Sequence, residues 1–342
     1  MSARNFQPQQ ETAINGAVFV DAYRWMFLAR AFEDKIGALF RAGKVVGGVY
    51  LGRGQEAFSV SLGMQLERSR GDIFGALIRD QGGRMAYGED LIDSARTYLG
   101  SVEGPMHGRD GNIHRGRPSE GMPAMISHLG ASVSVVNGML IGKRFHGESE
   151  FVGGVTAGDG ATSTGAFHEG LNQAAVENLP LVVAVADNQF AYSTPTDRQY
   201  ACEDLVDRAV GYGVKGYSID GTNLSECLAT FRAAIDEARA GKGPQLVVGK
   251  LLRLSGHGEH DDASYVPNSV KAGRYGRDCI AVAREQILSE GWATEEFLSG
   301  LELEAQRSVE ESVSQAQGED TPDPSCDDWK AMATVSLIEG DQ

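Results

Sequence analysis

Apolar residues recur along this chain with two different periods. Between residues 17 and 41, Val18, Ala22, Trp25, Ala29, Phe32, Ile36 and Leu39 return every three to four positions, which predicts one long amphipathic helix. From residue 151 the pattern changes to short unbroken apolar runs separated by Gly and Pro. There the spacing predicts a strand at 151–157, a Gly-rich turn at 158–160, a helix at about 165–178, Pro180 as a stop, and a second strand at 181–186. The helix rests on Phe167, Leu171, Ala174 and Ala175 sharing one face. The alternation continues with a helix at 203–211, a strand at 217–220, a helix at 224–240 and, after Pro244, a strand at 245–251. Upstream, 55–66 and 126–144 read as helices, the second with Gly138 and Gly142 suited to close packing. Residues 272–317 read as helical and increasingly charged, with Thr294 as an N-cap before Glu295 and Glu296. The expectation is an α/β fold with a parallel sheet and helical extensions at both ends. It divides into a flexible arm at 1–16, a single α/β domain at 17–317, and a linker and C-terminal tail at 318–342, whose segment 329–338 either docks back or joins a partner.

Residues 151–186 form a βαβ unit in this reading. Parallel strands joined by a crossover helix end side by side, so Asp159 and Asn188 should be neighbours in space. Ligands of open α/β sheets bind at that edge. Gly158 and Gly160 let backbone N–H groups approach a ligand, and a following helix N-terminus favours phosphate. A carboxylate and an amide oxygen beside a diphosphate are the hard oxygen ligands that Mg²⁺ takes. The residues therefore point to a Mg²⁺-diphosphate site. A nicotinamide-cofactor fingerprint needs G-x-G-x-x-G, whereas the glycines fall at 158, 160 and 165, although Asp187 at the end of the second strand keeps that reading open. No G-K-[ST] follows a strand, which counts against a Walker A loop. A plain turn leaves Asn188 unexplained.

Charge and cysteine usage narrow the partners. A net charge of −16 over 342 residues, with 31 Lys and Arg, argues against nucleic acid and against an anionic membrane surface. Cys202, Cys227, Cys279 and Cys326 show no C-x-x-C spacing, so free thiols in a reducing compartment are expected. With no apolar N-terminal signal region and no run of eighteen apolar residues, a soluble, cytoplasmic protein is expected.

GDG at 158–160, followed some thirty residues later by Asn188, resembles the thiamine diphosphate motif. The wider sequence, over about residues 17–310, resembles the α subunit of the two-subunit E1 component of 2-oxo acid dehydrogenases, the pyruvate, branched-chain and acetoin group. The resemblance implies the parallel-sheet thiamine diphosphate-binding fold. It implies Mg²⁺ held by Asp159, Asn188 and the backbone carbonyl of Phe190. It implies cofactor contacts from Arg79, Ser127, Leu129, Gly158, Asp159, Gly160, Ala161, Asn188, Phe190 and His257.

Residue by residue, the likeness has departures. Arg79 takes the place of a diphosphate-binding Arg, with Ile78 where the family has Tyr; the other reading of Arg79 is a surface ion pair with Asp80 or Asp72. Segment GQEA at 54–57 matches the family's, and Glu56 is either a catalytic acid or structural. Arg30 and Glu33 match an Arg-x-x-Glu and read as a solvated or architectural pair. Loop 101–121 is too long for an ordinary connection, and its His114 either transfers protons or orders the loop. His128 stands where branched-chain relatives have Pro, as a catalytic departure or a bystander. His257, in R-x-x-G-H, matches an active-site His able to act as general acid or oxyanion stabiliser, with His260 nearby. Gly258 stands where mitochondrial relatives carry a regulatory phosphoserine, and Ala186 where some carry an Arg.

The same resemblance implies an enzyme. Thiamine diphosphate also needs a glutamate on its aminopyrimidine ring, for which the family uses a domain of similar fold; the first 140 residues show no second run of βαβ units, so a separate β subunit, in an α2β2 heterotetramer, is expected to supply it. The implied reaction decarboxylates a 2-oxo acid, or cleaves an acetoin-like ketone, and passes the fragment to a lipoyl group on E2. The alternative is a thiamine-dependent carboligase or transketolase-like subunit with a small aldehyde acceptor.

Overall fold

A computed structural model describes residues 15–109 and 114–326. Its elements, in chain order, begin with α1 (Gly16–Arg41), α2 (Glu56–Gly63), β1 (Ile73–Gly75), α3 (Gln81–Tyr87), α4 (Leu91–Leu99) and α5 (Ala131–Phe145). The central unit is β2 (Gly153–Gly158), α6 (Gly165–Val176) and β3 (Leu181–Asp187). A small hairpin, β4 (Phe190–Ala191) and β5 (Thr194–Pro195), follows, then α7 (Arg208–Tyr212), β6 (Lys215–Asp220), α8 (Leu224–Arg239) and β7 (Gln245–Lys250). The chain continues through α9 (Asn268–Lys271), α10 (Cys279–Ser289) and α11 (Glu295–Gln317).

Strands β1, β2, β3, β7 and β6 lie in that order in one parallel sheet. In β3 successive side chains leave opposite faces. Val182, Ala184 and Ala186 join Phe58 of α2 and Phe231 of α8, while Val183 and Val185 join Val133 and Val136 of α5 and Phe167 and Leu171 of α6. That two-sided burial is why the strand is an unbroken apolar run. Thr164 caps α6, its hydroxyl accepting the Phe167 N–H, and Thr294 caps α11 in the same way through Phe297.

Several expectations need correction. The buried face of α1 includes Phe19, Tyr23 and Met26, while Val18 is 41 % exposed, because α2, α3, α10 and α11 surround that helix. Strand β1 gave no periodic signal: it has three residues, and only pairing with β2 makes it a strand. The helix expected at 203–211 is a 3₁₀ turn at Leu205–Asp207 running into α7. Gly291, at φ 68°, breaks 272–317 into separate helices. Gly138 and Gly142 face open space, with nothing within 4 Å of where a Cβ would stand.

Residues 318–326 fold back on α4. Glu319 pairs with Arg96 at 2.6 Å and accepts the Ser101 hydroxyl at 2.5 Å, and Val102 N–H donates to the Asp320 carbonyl at 2.9 Å. Most of the expected arm, and segment 329–338, lie outside the described residues. All four cysteines are free thiols. Among the described residues no helix is long and apolar enough to cross a membrane.

Candidate active site

A cavity of about 510 Å³ opens at the carboxyl ends of β1, β2, β3 and β7, a volume in the range of small-molecule sites. Its lining contains Arg79, Ser127, Leu129, Gly158, Asp159, Gly160, Ala161, Asn188, Phe190 and His257, together with Tyr50, Gln55, Tyr192 and Arg253. His128 is exposed and outside that lining, although both its neighbours belong to it.

One wall comes from the ends of β2 and β3. Gly158 has nothing within 4 Å of its would-be Cβ, so a side chain there would project into the space a ligand needs. Asp159 is buried, and its Oδ2 accepts from Gln199 Nε2 at 2.6 Å. Asn188 donates from Nδ2 to Gln55 Oε1 at 2.9 Å, and its Oδ1 is buried without a partner. Burial raises the carboxyl of Asp159, partly offset by Gln199 and the Gly160 N–H. Burial and then the neighbouring Asp159 lift Asp187 to about 6. Two buried carboxyls and an orphaned amide oxygen at one sheet edge are what a cation would satisfy. Phe190 lies between Gln189 at φ 73° and Tyr192 at φ 54°, and its carbonyl already accepts from Arg253 Nη1 at 3.1 Å.

The opposite wall is assembled from distant segments. Arg79 makes no ion pair with Asp80 or Asp72. Its guanidinium donates to the carbonyls of Leu51 at 2.9 Å and His257 at 2.6 Å and stands 3.3 Å from His257 Nδ1. An arginine can only donate, so Nδ1 is the acceptor and the imidazole proton sits on Nε2. Burial, then the charges of Arg79 and Arg253, hold His257 down to about 4, so the ring is neutral near pH 7. Tyr50 meets it edge-on at 5.4 Å and Tyr192 tilts over it at 4.5 Å. A neutral ring with Nε2–H outward suits an oxyanion better than it suits general acid work.

Loop 47–54 supports this wall. Gly52 N–H donates to Glu33 Oε1 at 2.8 Å, and a Cβ at Gly52 would lie 2.1 Å from the Arg79 carbonyl, so only glycine fits. Gly54 N–H donates to Glu56 Oε2 at 2.7 Å. Glu56 is buried, pairs with Arg30 at 2.6 Å, accepts the Cys279 thiol at 3.2 Å and does not line the cavity. Arg30 and Glu33 do not pair with each other, since Arg30 turns to Glu56 and Asp278. Burial and the neighbouring Glu56 push Glu33 up to about 8.

The dehydrogenase E1 component family model matches residues 23–325. The chain belongs to that family. It is 31 % identical over 325 residues to the α subunit of acetoin:2,6-dichlorophenolindophenol oxidoreductase of Cupriavidus necator, covering 95 % of this chain and 97 % of the relative. It is 32 % identical to the pyruvate dehydrogenase E1 α subunit of Rhizobium meliloti, over 89 % of this chain and 87 % of that one. It is 33 % identical to the 2-oxoisovalerate dehydrogenase α subunit of Bacillus subtilis, over 72 % and 74 %. Three different substrate names stand at almost the same distance.

In this E1 family member, sequence reasoning missed four groups at the site. Arg253 is buried and bridges the Phe190 and Tyr192 carbonyls and the Tyr265 hydroxyl. Its place in R-x-x-G-H was the available signal. Gln199 and Tyr50 had none, and Gln55 had only its place in GQEA. The turn that presents Arg79 is locked by Asp80, whose Oδ2 accepts from the Thr156 hydroxyl at 2.6 Å and the Leu77 N–H at 2.9 Å. His114 touches Ser127 Oγ at 2.5 Å, which brings loop 101–121 to the rim, while the preceding residues 110–113 lie outside the described residues. His260 is exposed and outside the lining.

Proposed function

We propose that this chain is the α subunit of a thiamine-diphosphate-dependent E1 enzyme that acts on a 2-oxo acid or an acetoin-like ketone and passes the resulting fragment to a lipoyl group on an E2 protein. The observation that carries this reading is the pair of Asp159 and the orphaned Asn188 Oδ1 at one sheet edge, in a cavity lined by two arginines, Arg253 beside that edge and Arg79 on the opposite wall. No three His, Cys, Asp or Glu side chains form a metal cluster among the described residues, and none is needed. Mg²⁺ would take one carboxylate oxygen of Asp159, the amide oxygen of Asn188 and the Phe190 carbonyl, its remaining positions falling to diphosphate and water. Arg253 would have to share or release that carbonyl.

Bound thiamine diphosphate would supply a carbanion nucleophile for the substrate carbonyl. The chain's own residues do the rest. Gly158, Gly160 and Ala161 present backbone to the diphosphate. Arg79 and Arg253 set positive charge beside it, and Arg79 keeps the His257 proton on Nε2. His257 then donates to an oxygen that gains charge, with Tyr50 and Tyr192 limiting the water around it. Ser127 and the Leu129 backbone border the apolar end. His128, at the rim, is the second proton-handling residue of this reading; unchanged turnover in His128→Asn would remove it.

A β subunit supplies the activating glutamate in this proposal, in an α2β2 assembly in the cytoplasm, where the free thiols are at home. Titration calorimetry of thiamine diphosphate with Mg²⁺ tests it, using this chain alone and mixed with its β subunit. Tight binding in the mixture only is expected. Equal binding and full turnover by the lone chain would refute the shared site, and no binding in the mixture would refute the thiamine assignment.

A further inference from the structure

Gln199 sits 40 residues beyond Asp159, on the turn after the β4–β5 hairpin, yet its side chain ends at the cation side of the cavity. Its Nε2 donates to Asp159 Oδ2 at 2.6 Å and to the Thr194 carbonyl at 2.9 Å. Both partners are acceptors, so the amide cannot be turned around: the opposite orientation would set oxygen against two oxygens. The backbone is held as well, by Gln199 N–H on the Thr196 carbonyl at 3.0 Å and by the Ser163 hydroxyl on the Gln199 carbonyl at 3.0 Å. This leaves Gln199 Oε1 buried without a partner, 3.8 Å from the would-be Cβ of Gly160.

We propose that Gln199 is a positioning residue that sets which cation the site accepts: by occupying Asp159 Oδ2 it confines the carboxylate to one-oxygen coordination, and its own orphaned Oε1 receives a hydrogen of a cation-bound water. The inference rests on the cation-diphosphate reading above and goes beyond it, because that reading does not distinguish Mg²⁺ from larger ions. Ca²⁺ takes six to eight oxygens at longer range and can use one or both oxygens of a carboxylate, the two-oxygen mode helping it reach the higher number. Mg²⁺ keeps six in a near-ideal octahedron, takes a carboxylate through one oxygen and retains water. A carboxylate with one oxygen engaged by an amide, beside a buried acceptor suited to a bound water, favours the smaller ion and works against the larger.

The test uses the full chain assembled with its β subunit, stripped with a chelator. Thiamine diphosphate is titrated calorimetrically at matched Mg²⁺ and Ca²⁺ concentrations, for the wild type, Gln199→Leu and Gln199→Met. The two variants keep most of the side-chain volume without the donor, and one serves if the other fails to assemble. The wild type is expected to bind with a clear preference for Mg²⁺, and either variant to lose about tenfold of that preference, mostly through tighter binding with Ca²⁺. Wild-type binding with an unchanged Mg²⁺ to Ca²⁺ ratio in both variants would overturn this inference alone. No binding by the wild type with either cation would overturn the site reading, and this inference with it.

Discussion

The two walls of the cavity are built in different ways. The wall at the ends of β2 and β3 comes from two chain segments, Gly158–Ala161 and Asn188–Tyr192, brought together by a single crossover. Its chemistry is set by residue type alone: a glycine where a ligand needs room, a carboxylate, an amide. The facing wall draws Tyr50, Arg79 and His257 from three separate segments. They stay in register because Val49 and Arg53 carbonyls accept the backbone N–H groups of Glu259 and Leu254, at 2.8 and 3.0 Å, and because Glu33 and Glu56 hold the loop from below. The first wall is tied by hydrogen bonds of its own, Asn188 to Gln55, Asp159 to Gln199 and the Phe190 carbonyl to Arg253, with no buried ion pair among its groups within the described residues. The second depends on buried charge outside the site, and a change there should reach the cavity indirectly.

The sharpest way to break that contrast is Glu56→Ala. Removing one partner of a buried pair leaves Arg30 partly uncompensated and frees Gly54 N–H, so a loss of about 3–5 kcal/mol is expected in denaturant unfolding of the assembly. A loss below about 1 kcal/mol would mean that the loop does not rest on this carboxylate. Asp159→Ala should do the opposite. Thermal stability of the unliganded assembly should stay level or rise, since a buried carboxyl is removed, while Mg²⁺-dependent thiamine diphosphate binding weakens by at least about a hundredfold, or about 2.8 kcal/mol. If calorimetry finds cofactor affinity intact, the cation is held elsewhere.

The smallest effect belongs to Glu33→Gln, and it is one of pH. Glu33 holds its proton in the fold up to about 8 but loses it near 4.5 when unfolded, so the unfolded chain binds fewer protons between those values and stability falls as pH rises through that window. The glutamine variant should match the wild type below pH 4.5 and exceed it at pH 8. After allowance for relaxation around a buried group, the expected gain is about 1–2 kcal/mol. Parallel pH profiles for the two proteins would show that Glu33 is ionised in the fold.

The same contrast explains what could be read from the sequence. Asp159 and Asn188 were legible because each closes a strand recognisable from its apolar run, and one topological rule brings the strand ends together. Gln199 was not, because its role depends on a partner 40 residues away that no local pattern announces; Arg253 had its place in R-x-x-G-H, but nothing there announces its bond to the Phe190 carbonyl 63 residues away. The burial of Arg30 and Glu33 was misjudged for the same reason: an i, i+3 charge pair on a helix looks solvated until the elements that cover it are known. Strand β1, three residues long, has too few positions for a period to show.

The fold-back of residues 318–326 bears on how the protein can be cut and joined. Glu319 latches onto Arg96 and Ser101 at the root of the long loop that leads to His114 and Ser127. A protease or a cloning boundary that severs the chain just after α11 would leave the helix whole and remove the latch, so the damage would surface at the rim of the cavity and not at the cut.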